Sequence, residues 1–315
     1  MIDERPAWRA DEPAARAKRI DLAGVALVSC SACGFATLGI FGKGLLHAGL
    51  DLPSTLAWRF AGAALLLWIW LIARRRWRLP LRQAATAFTL GAVGYAIQSA
   101  LYFLAIERIS VGLTSLLLYT YPAFVALLAW LVEHEPPSRR RLAALIVAFA
   151  GTSLAANPHG PRADLLGLAI GVGMGLWYAA YLILSARLVR SVDSLTASAY
   201  VCLGAATSFI AVALATGVSL PRTSAAGLMV LGIVVVATVV PIVALFAGIR
   251  RLGTPRAAVL STLEPVVTVA LGALILGERL GPLQLTGGAL IVAALVLLQV
   301  PQRASTPGLR SVKTR

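Results

Sequence analysis

The chain has 315 residues, of which 59% are hydrophobic and 13% charged, and its mean hydropathy is +0.83. So little polar surface cannot cover a soluble globular protein of this length, and the composition therefore indicates a membrane protein. Three cysteines exclude a disulfide framework, and the net charge of +15 has to be explained by where the basic residues lie.

Apolar runs of about 20 residues, the length that a helix needs to cross the hydrocarbon layer, follow one another along the chain. Most are longer than a barrel strand and lack strict alternation, so they predict helices. The connections are short, which excludes a separate soluble catalytic domain, and residues 1–20 and 301–315 are expected to form cytoplasmic tails. The ten runs cover residues 22–46, 54–73, 84–106, 111–132, 142–157, 165–186, 195–216, 225–249, 256–276 and 283–300.

The basic residues predict how these runs are oriented. If the N-terminus is cytoplasmic, 22 of the 28 lysines and arginines fall in segments on the cytoplasmic side and four in segments on the opposite side. The positive-inside rule then places both termini in the cytoplasm, with the protein in the cell inner (plasma) membrane. This distribution also accounts for the net charge, so no nucleic-acid partner is expected.

The chain contains an internal repeat. The 34 residues from Tyr102 can be laid without a gap on the 34 residues from Leu245, an offset of 143. Ten helices in two copies, residues 21–157 and 158–300, make five per copy, and an odd number inverts the second copy in the membrane. Inverted repeats are typical of secondary transporters. The offset matches Asp21 with Asp164, Arg108 with Arg251, Pro122 with Pro265 and Glu135 with Glu278.

Four segments of the two copies carry a further signal. They are Pro122-Ala-Phe-Val-Ala-Leu-Leu-Ala-Trp, Glu264-Pro265-Val-Val-Thr-Val-Ala-Leu-Gly, Leu276-Gly277-Glu278-Arg279-Leu280 and Gly287-Gly288-Ala-Leu-Ile. These segments resemble the EamA repeat of the drug/metabolite transporter superfamily, although the first copy departs from the pattern at Glu133-His134-Glu135. The resemblance covers residues 21–300 and implies a basket of ten helices around a central substrate cavity. The aromatic content of the helices is most similar to that of bacterial exporters of aromatic amino acids.

Aromatic and amide side chains cluster on one face of the third run and one face of the sixth. Polar tips in hydrocarbon need hydrogen-bond partners, so the face of the third run is expected to point away from lipid. Substrate binding and packing between helices are both open for these two faces, and exposure to lipid is open for the face of the sixth run as well. The candidate substrate-binding residues are Tyr95, Gln98 and Tyr102 on the third run and Trp177, Tyr178 and Tyr181 on the sixth.

The fourth and ninth runs each contain a proline, Pro122 and Pro265. A proline frees a backbone carbonyl about one turn earlier, and matching helix breaks in two halves indicate a binding region, with a packed kink as the alternative. Tyr119 and Tyr121 precede the first proline, and Glu264, the one acid well inside a run, precedes the second. Glu264 is a candidate for proton coupling, for binding a substrate ammonium group, or for a protonated structural role.

Two cations, Lys43 and Arg59, lie towards the outer ends of the first and second runs. Long basic side chains near helix ends can extend to the membrane interface, so anchoring is expected for both, with steering of a carboxylate at the outer mouth as the alternative. No histidine or cysteine elsewhere is positioned to complete a metal shell with Glu133-His134-Glu135, and neither a metal nor another cofactor is expected.

These features predict an all-α membrane protein, with ten transmembrane helices as two inverted five-helix repeats, that exports small amphipathic metabolites, above all aromatic or bulky neutral amino acids. Alternating access without ATP is expected, because the chain has no GxxxxGK[ST] motif. The expected partners are a small-molecule substrate and membrane lipid, and the sequence is compatible with a monomer. Export of another metabolite or a drug-like cation is the alternative within this class. A membrane enzyme would need a catalytic cluster, and an open channel would not need the repeat.

Overall fold

A computed structural model of the chain describes residues 21–133, 139–156, 164–188 and 192–299, and every regular element in these ranges is helical. The two tails, the boundary at residues 157–158, and His134 and Glu135 lie outside the described residues. The elements are α1 (Leu22–Ala36), α2 (Leu38–His47), α3 (Leu52–Ala73), α4 (Leu81–Thr89), π1 (Leu90–Tyr95), α5 (Ala96–Arg108), α6 (Val111–Leu118), α7 (Tyr121–Glu133), α8 (Arg139–Ala156), α9 (Leu165–Leu188), α10 (Ser194–Thr216), α11 (Ser224–Val234), π2 (Val235–Val239), α12 (Val240–Leu252), α13 (Thr254–Ser261), α14 (Leu263–Leu276) and α15 (Pro282–Gln299).

Within the described ranges, eight helical segments are long and apolar enough to cross a membrane, and two shorter apolar helices, Leu142–Ala155 and Pro282–Leu298, accompany them. The ten predicted runs coincide with these segments, and no helix end differs from the prediction by more than three residues. The differences arise because polar residues such as Arg82 and Arg139 continue a helix beyond its apolar part. The chain is therefore a multi-pass helical membrane protein.

Aspartate N-caps define where several of the helices begin. The carboxylates of Asp21, Asp51, Asp164 and Asp193 each accept a hydrogen bond from a backbone N–H three residues later, at 2.7 to 3.1 Å. Such bonds satisfy an N–H group that has no partner in the first helical turn. Asp21 and Asp164 are also matched by the 143-residue offset, so the two copies begin with the same capping contact.

The two proline-containing runs are interrupted at matching positions. Tyr119 and Thr120 separate α6 from α7, and Thr262 separates α13 from α14. Pro122 and Pro265 follow these breaks and cannot donate a backbone hydrogen bond to the preceding turn. The breaks leave carbonyl groups free inside the helix bundle, where side chains or a ligand can bond to them.

Three further irregularities were not predicted from the sequence, although Pro241 lies two residues after the end of π2. π1 and π2 interrupt corresponding helices of the two copies, and a π turn widens the helix and disturbs its hydrogen-bond ladder. The third is Thr37, which separates α1 from α2 and donates its hydroxyl to the Gly34 carbonyl at 2.7 Å. Local side-chain bonding of this kind competes with the helical pattern and bends helices.

The largest helix contacts join one copy to the other. α3 packs on α10 and α8 packs on α15, and each of these pairs consists of a helix and its repeat counterpart. The contact of α1 with α12 corresponds in the same way to that of α5 with α9. The two halves are interleaved and share one core, so neither half forms a separate body.

Glycines allow some of these helices to touch backbone to backbone. A Cβ atom on Gly204 of α10 would meet the Phe88 carbonyl oxygen, and one on Gly91 of π1 would meet the Val201 carbonyl. Small residues at membrane helix interfaces allow this close approach, which hydrocarbon packing requires in the absence of a strong hydrophobic effect.

Two ion pairs occupy equivalent positions in the two copies. Arg108 Nη1 at the end of α5 lies 3.4 Å from Asp164 Oδ2 before α9, and Arg251 Nε at the end of α12 lies 2.9 Å from Asp21 Oδ2 before α1. The offset of 143 converts one pair into the other. Each pair joins the start of one copy to the third helix of the other copy.

Candidate functional site

A central cavity of about 200 Å³ lies among the interrupted helices and receives side chains from both copies. It is smaller than the roughly 300–1,000 Å³ of pockets that take drug-sized ligands, so it suits a small metabolite. Of the residues predicted to bind substrate, those that line it are Tyr95, Gln98, Tyr102, Tyr119, Tyr121, Tyr178 and Glu264.

Glu264 and Tyr119 meet across the cavity from the two helix breaks. The Tyr119 hydroxyl donates to Glu264 Oε2 at 2.8 Å, and it also lies 3.1 Å from the Ser261 carbonyl oxygen. That carbonyl would bond in a regular helix to the nitrogen of Pro265, which has no hydrogen. The broken helix thus presents a carbonyl and a carboxylate side by side, in a position where they can accept hydrogen bonds.

Ring contacts link five tyrosines into a continuous aromatic wall. Tyr119 contacts Tyr121 at 6.0 Å between ring centroids, Tyr121 contacts Tyr178 at 4.9 Å, and Tyr178 contacts Tyr181 at 6.2 Å. Tyr95 closes the series at 5.8 Å from Tyr181. These separations are those of favourable aromatic pairs, so the rings hold one another in place, and the four that line the cavity, all but Tyr181, offer ring faces and hydroxyl groups to a ligand.

Arg59 does not anchor the protein at the membrane surface, although the sequence led us to expect this. Its side chain is buried in the cavity wall, with only 2% of the residue exposed, and its Nε donates to Thr238 Oγ1 at 3.0 Å. Leu56 and Ala63 on the same face of α3 are completely buried. This face packs against the other copy, so the arginine side chain cannot extend to the membrane surface.

Gln98 and Tyr102 lie on the inward face of α5, and both are buried. Among the described residues, the Gln98 side-chain oxygen has no hydrogen-bond partner. Buried polar atoms are almost always satisfied, so an orphaned acceptor in a cavity wall marks a place where a ligand can donate a hydrogen bond.

Trp177 and Tyr181 do not line the central cavity, and this differs from the convergence of both residues on one cavity that the sequence suggested. They lie on a neighbouring groove of about 710 Å³, together with Arg82, Thr86 and Leu184. The reason is local, because the Trp177 indole N–H donates to the Gly94 carbonyl of π1 at 2.9 Å. The indole is thereby held against α4 and π1.

Lys43, expected to anchor the protein at the interface or to steer a carboxylate, forms an ion pair. Its Nζ lies 3.0 Å from Glu278 Oε1, and the same carboxylate accepts from the backbone N–H groups of Val111 at 2.8 Å and Gly112 at 3.2 Å. Gly277, with φ of +65°, reverses the chain after α14 so that Glu278 reaches the start of α6. This contact joins α2, the start of α6 and the segment that follows the end of α14.

Some cavity residues had no signal in the sequence. Ser31 of α1 is 1% exposed and donates to the Pro241 carbonyl at 2.8 Å, and it lines the cavity beside Phe35 and Leu245. Only the packing of α1 against α12 reveals which face of α1 is inward. In the ranges that the structure describes, no group of three or more His, Cys, Asp or Glu residues could hold a metal ion.

A polar, tyrosine-walled cavity at broken helices inside a multi-pass bundle is the arrangement of a membrane carrier. The EamA-like transporter family matches residues 22–157 and again residues 165–300. The chain is 29% identical over 269 residues to the uncharacterized transporter YcbK of Bacillus subtilis (strain 168), across 80% of this chain and 85% of that protein. It is 31% identical over 204 residues to an uncharacterized transporter of Archaeoglobus fulgidus, across 62% of this chain and 70% of that one.

A solved structure titled "Crystal structure of protein" has a similar fold. Its TM-score is 0.61 at 17% identity, and the match covers 88% of this chain and 96% of that one. At this identity the likeness concerns the fold alone. With the family matched over both halves, the chain belongs to the EamA-like transporter family and is a membrane transporter.

Proposed function

We propose that this protein is a secondary transporter that exports small amphipathic metabolites, with aromatic or bulky neutral amino acids as its first candidate substrates. The observation that carries the proposal is the central cavity, in which the Glu264 carboxylate faces a wall of tyrosine rings. A carboxylate can bind a substrate ammonium group, and the rings can stack on a large side chain. No cofactor enters this proposal.

We further propose that the ten helical segments form two inverted five-helix repeats and that transport proceeds by alternating access. The paired contacts Asp21–Arg251 and Asp164–Arg108 support this arrangement, because each is the counterpart of the other under the repeat. With the N-terminus cytoplasmic, the first pair lies at the inner surface and the second at the outer surface. Two alike halves of opposite orientation can then exchange conformations around the cavity.

Export of an organic cation is the second candidate, and Glu264 is the observation that favours it. A carboxylate surrounded by aromatic rings also suits a cation that has no carboxylate of its own. The cavity volume of about 200 Å³ limits this candidate to small amines.

The test of the proposed function is efflux of labelled phenylalanine, tryptophan and threonine from proteoliposomes that contain the full chain. We expect efflux of the two aromatic amino acids to exceed that of threonine. Since Trp177 lies outside the cavity, the decisive variant is Tyr178→Leu, which should reduce phenylalanine and tryptophan efflux about tenfold and threonine efflux less, because each lost ring contact costs about 0.5–1.5 kcal/mol.

Tyr200→Leu is the matched control. Tyr200 contacts Trp68 and donates to the Trp77 carbonyl, away from the cavity, so its loss should not change the ratio of aromatic to threonine efflux. Equal losses for all three substrates in Tyr178→Leu would mean that this ring only supports the helix, and efflux of none of them would remove amino acids as substrates.

A further inference from the structure

Arg59 is a buried charge that lacks a counterion in the described part of the chain. Its Nε donates to the Thr238 hydroxyl, and its guanidinium carbon lies 4.7 Å from the centre of the Phe60 ring, so both of these partners are uncharged. The ion pairs found there involve Lys43, Arg108 and Arg251, and none involves Arg59. Burying an unpaired ion costs several kcal/mol, whereas an anion in the cavity would compensate it and bind to the guanidinium in a forked geometry.

In the part of the chain that the structure describes, Gln98 is a second buried polar group in the same cavity with an unpaired atom. It lines the cavity with Arg59, is 5% exposed, and has an amide oxygen without a partner among the residues described. A glutamine amide offers two donors and an acceptor on one planar group. The α-carbon of an amino acid carries a carboxylate that accepts and an ammonium group that donates, so both halves of the amide find a complement in one ligand.

We propose that Arg59 and Gln98 form a subsite that binds the carboxylate of the substrate, so that the protein transports small molecules bearing a carboxylate and discriminates against amines without one. The proposal rests on the proposed function in taking the central cavity as the substrate site. Glu264, held by Tyr119, lies in the same cavity and forms no salt bridge with Arg59 in the described structure. One zwitterion can therefore meet both an acid and a base in this cavity.

The test compares three probes that share a phenylethyl skeleton and are measured on the purified full-length protein. Phenylalanine carries both charged groups, 3-phenylpropionate only the carboxylate, and 2-phenylethylamine only the ammonium group. Titration calorimetry should show that the wild type binds the first two, and that Arg59→Gln weakens both by about tenfold or more, the loss expected for a charge-assisted hydrogen bond. Affinity for 2-phenylethylamine should change less than about threefold. Arg222→Gln, which neutralises an exposed arginine, is the control and should leave all three affinities unchanged.

A second variant covers the case in which Arg59→Gln does not fold. Gln98→Glu keeps the size of the side chain and adds a carboxylate to the cavity that Arg59 lines, so it should weaken the binding of phenylalanine and 3-phenylpropionate by about tenfold and spare that of 2-phenylethylamine. The subsite is disproved if either variant weakens the amine as much as the acids, or if the wild type binds none of the probes.

The same data separate this inference from the proposed function. If 3-phenylpropionate binding depends on Arg59 but proteoliposomes export no amino acid, the carboxylate subsite stands and the proposed substrates are wrong. If phenylalanine is exported and its binding does not depend on Arg59, the proposed function stands and the subsite is wrong.

Discussion

Glu264 is held by residues that come from the other half of the chain. Tyr119 donates to its carboxylate from the break between α6 and α7. Tyr121, the repeat counterpart of Glu264, lies in the same wall, with 6.0 Å between its ring centroid and that of Tyr119. An acid in the membrane core is expensive and is found where it performs a function or has a firm partner. Here the acid has a partner and also faces a cavity.

Substitution of Glu264 by glutamine separates proton coupling from structure. Glu264→Gln keeps the shape and accepts the Tyr119 hydroxyl but removes the titratable charge. If protons drive export through this residue, the variant should lose accumulation against a gradient and retain substrate exchange, measured in proteoliposomes with and without a pH difference. Glu107→Gln, at an exposed acid, is the matched control. Activity equal to wild type at every pH would assign Glu264 a structural role.

Arg59 shows what sequence position alone misses at the residue scale. Its depth within the run is read from the sequence, but the direction of its side chain depends on which face of α3 packs against α10 and π2. That face is known only after the two copies are interleaved.

At the scale of elements, the contact of α10 with π1 depends on glycine. Gly204→Ala would place a Cβ against the Phe88 carbonyl, so we expect a loss of about 1–3 kcal/mol in the free energy of unfolding, the usual cost of overpacking. Thermal unfolding in detergent measures it. Gly227→Ala is the control, since a Cβ there has no neighbour within 4 Å, and it should be neutral or slightly stabilising. Equal effects of the two would remove the close contact as a determinant of stability.

The paired contacts at the ends of the two copies make a prediction about pH. Bonds from the backbone N–H groups of Gly24 and Gly167 and the nearby arginines hold the pKa values of Asp21 and Asp164 below the ordinary value of 3.8. A lowered folded-state pKa stabilises the protein above the unfolded value, and this contribution is lost as the pH falls through the folded-state pKa. Both carboxylates are therefore fully ionised at neutral pH.

Consequently Asp21→Asn and Asp164→Asn, which keep an N-cap acceptor, should leave the shape of the transport profile between pH 6 and pH 8 unchanged. Transport measured across that range in proteoliposomes checks this. A variant that shifts the profile would show that these ion pairs take part in a protonation step near neutral pH.

At the scale of the whole molecule, the prediction to test is the orientation of each half in the membrane. Reporter fusions after Pro80 and after Arg315 should both report the cytoplasm, and a fusion after Gly160 should report the opposite side, because 22 basic residues fall on one side and four on the other. Gly160 and Arg315 on the same side would contradict the inversion of the second copy.

The fold was largely predictable because its signals are local. A helix needs a minimum length to cross the hydrocarbon layer, so the ten runs could be predicted from hydropathy. Two of the helix breaks could be predicted from Pro122 and Pro265, because proline has no backbone N–H. Seven of the sixteen residues that line the cavity were candidates from the sequence, because a tyrosine, glutamine or glutamate within an apolar run needs a polar partner. π1 and the Thr37 break have no such marker, and Pro241 after π2 was not interpreted as one, so these irregularities were missed.

The sequence by itself determined the class of protein, the repeat and its matched positions, because these depend on composition and spacing along the chain. Only the tertiary structure decided which side chains share the cavity: it turned Arg59 inward, joined Lys43 to Glu278, and moved Trp177 to a separate groove. The physical reason is that the rotation of a helix about its axis is fixed by contacts with helices far away in sequence. In this protein those contacts come mainly from the other copy of the repeat.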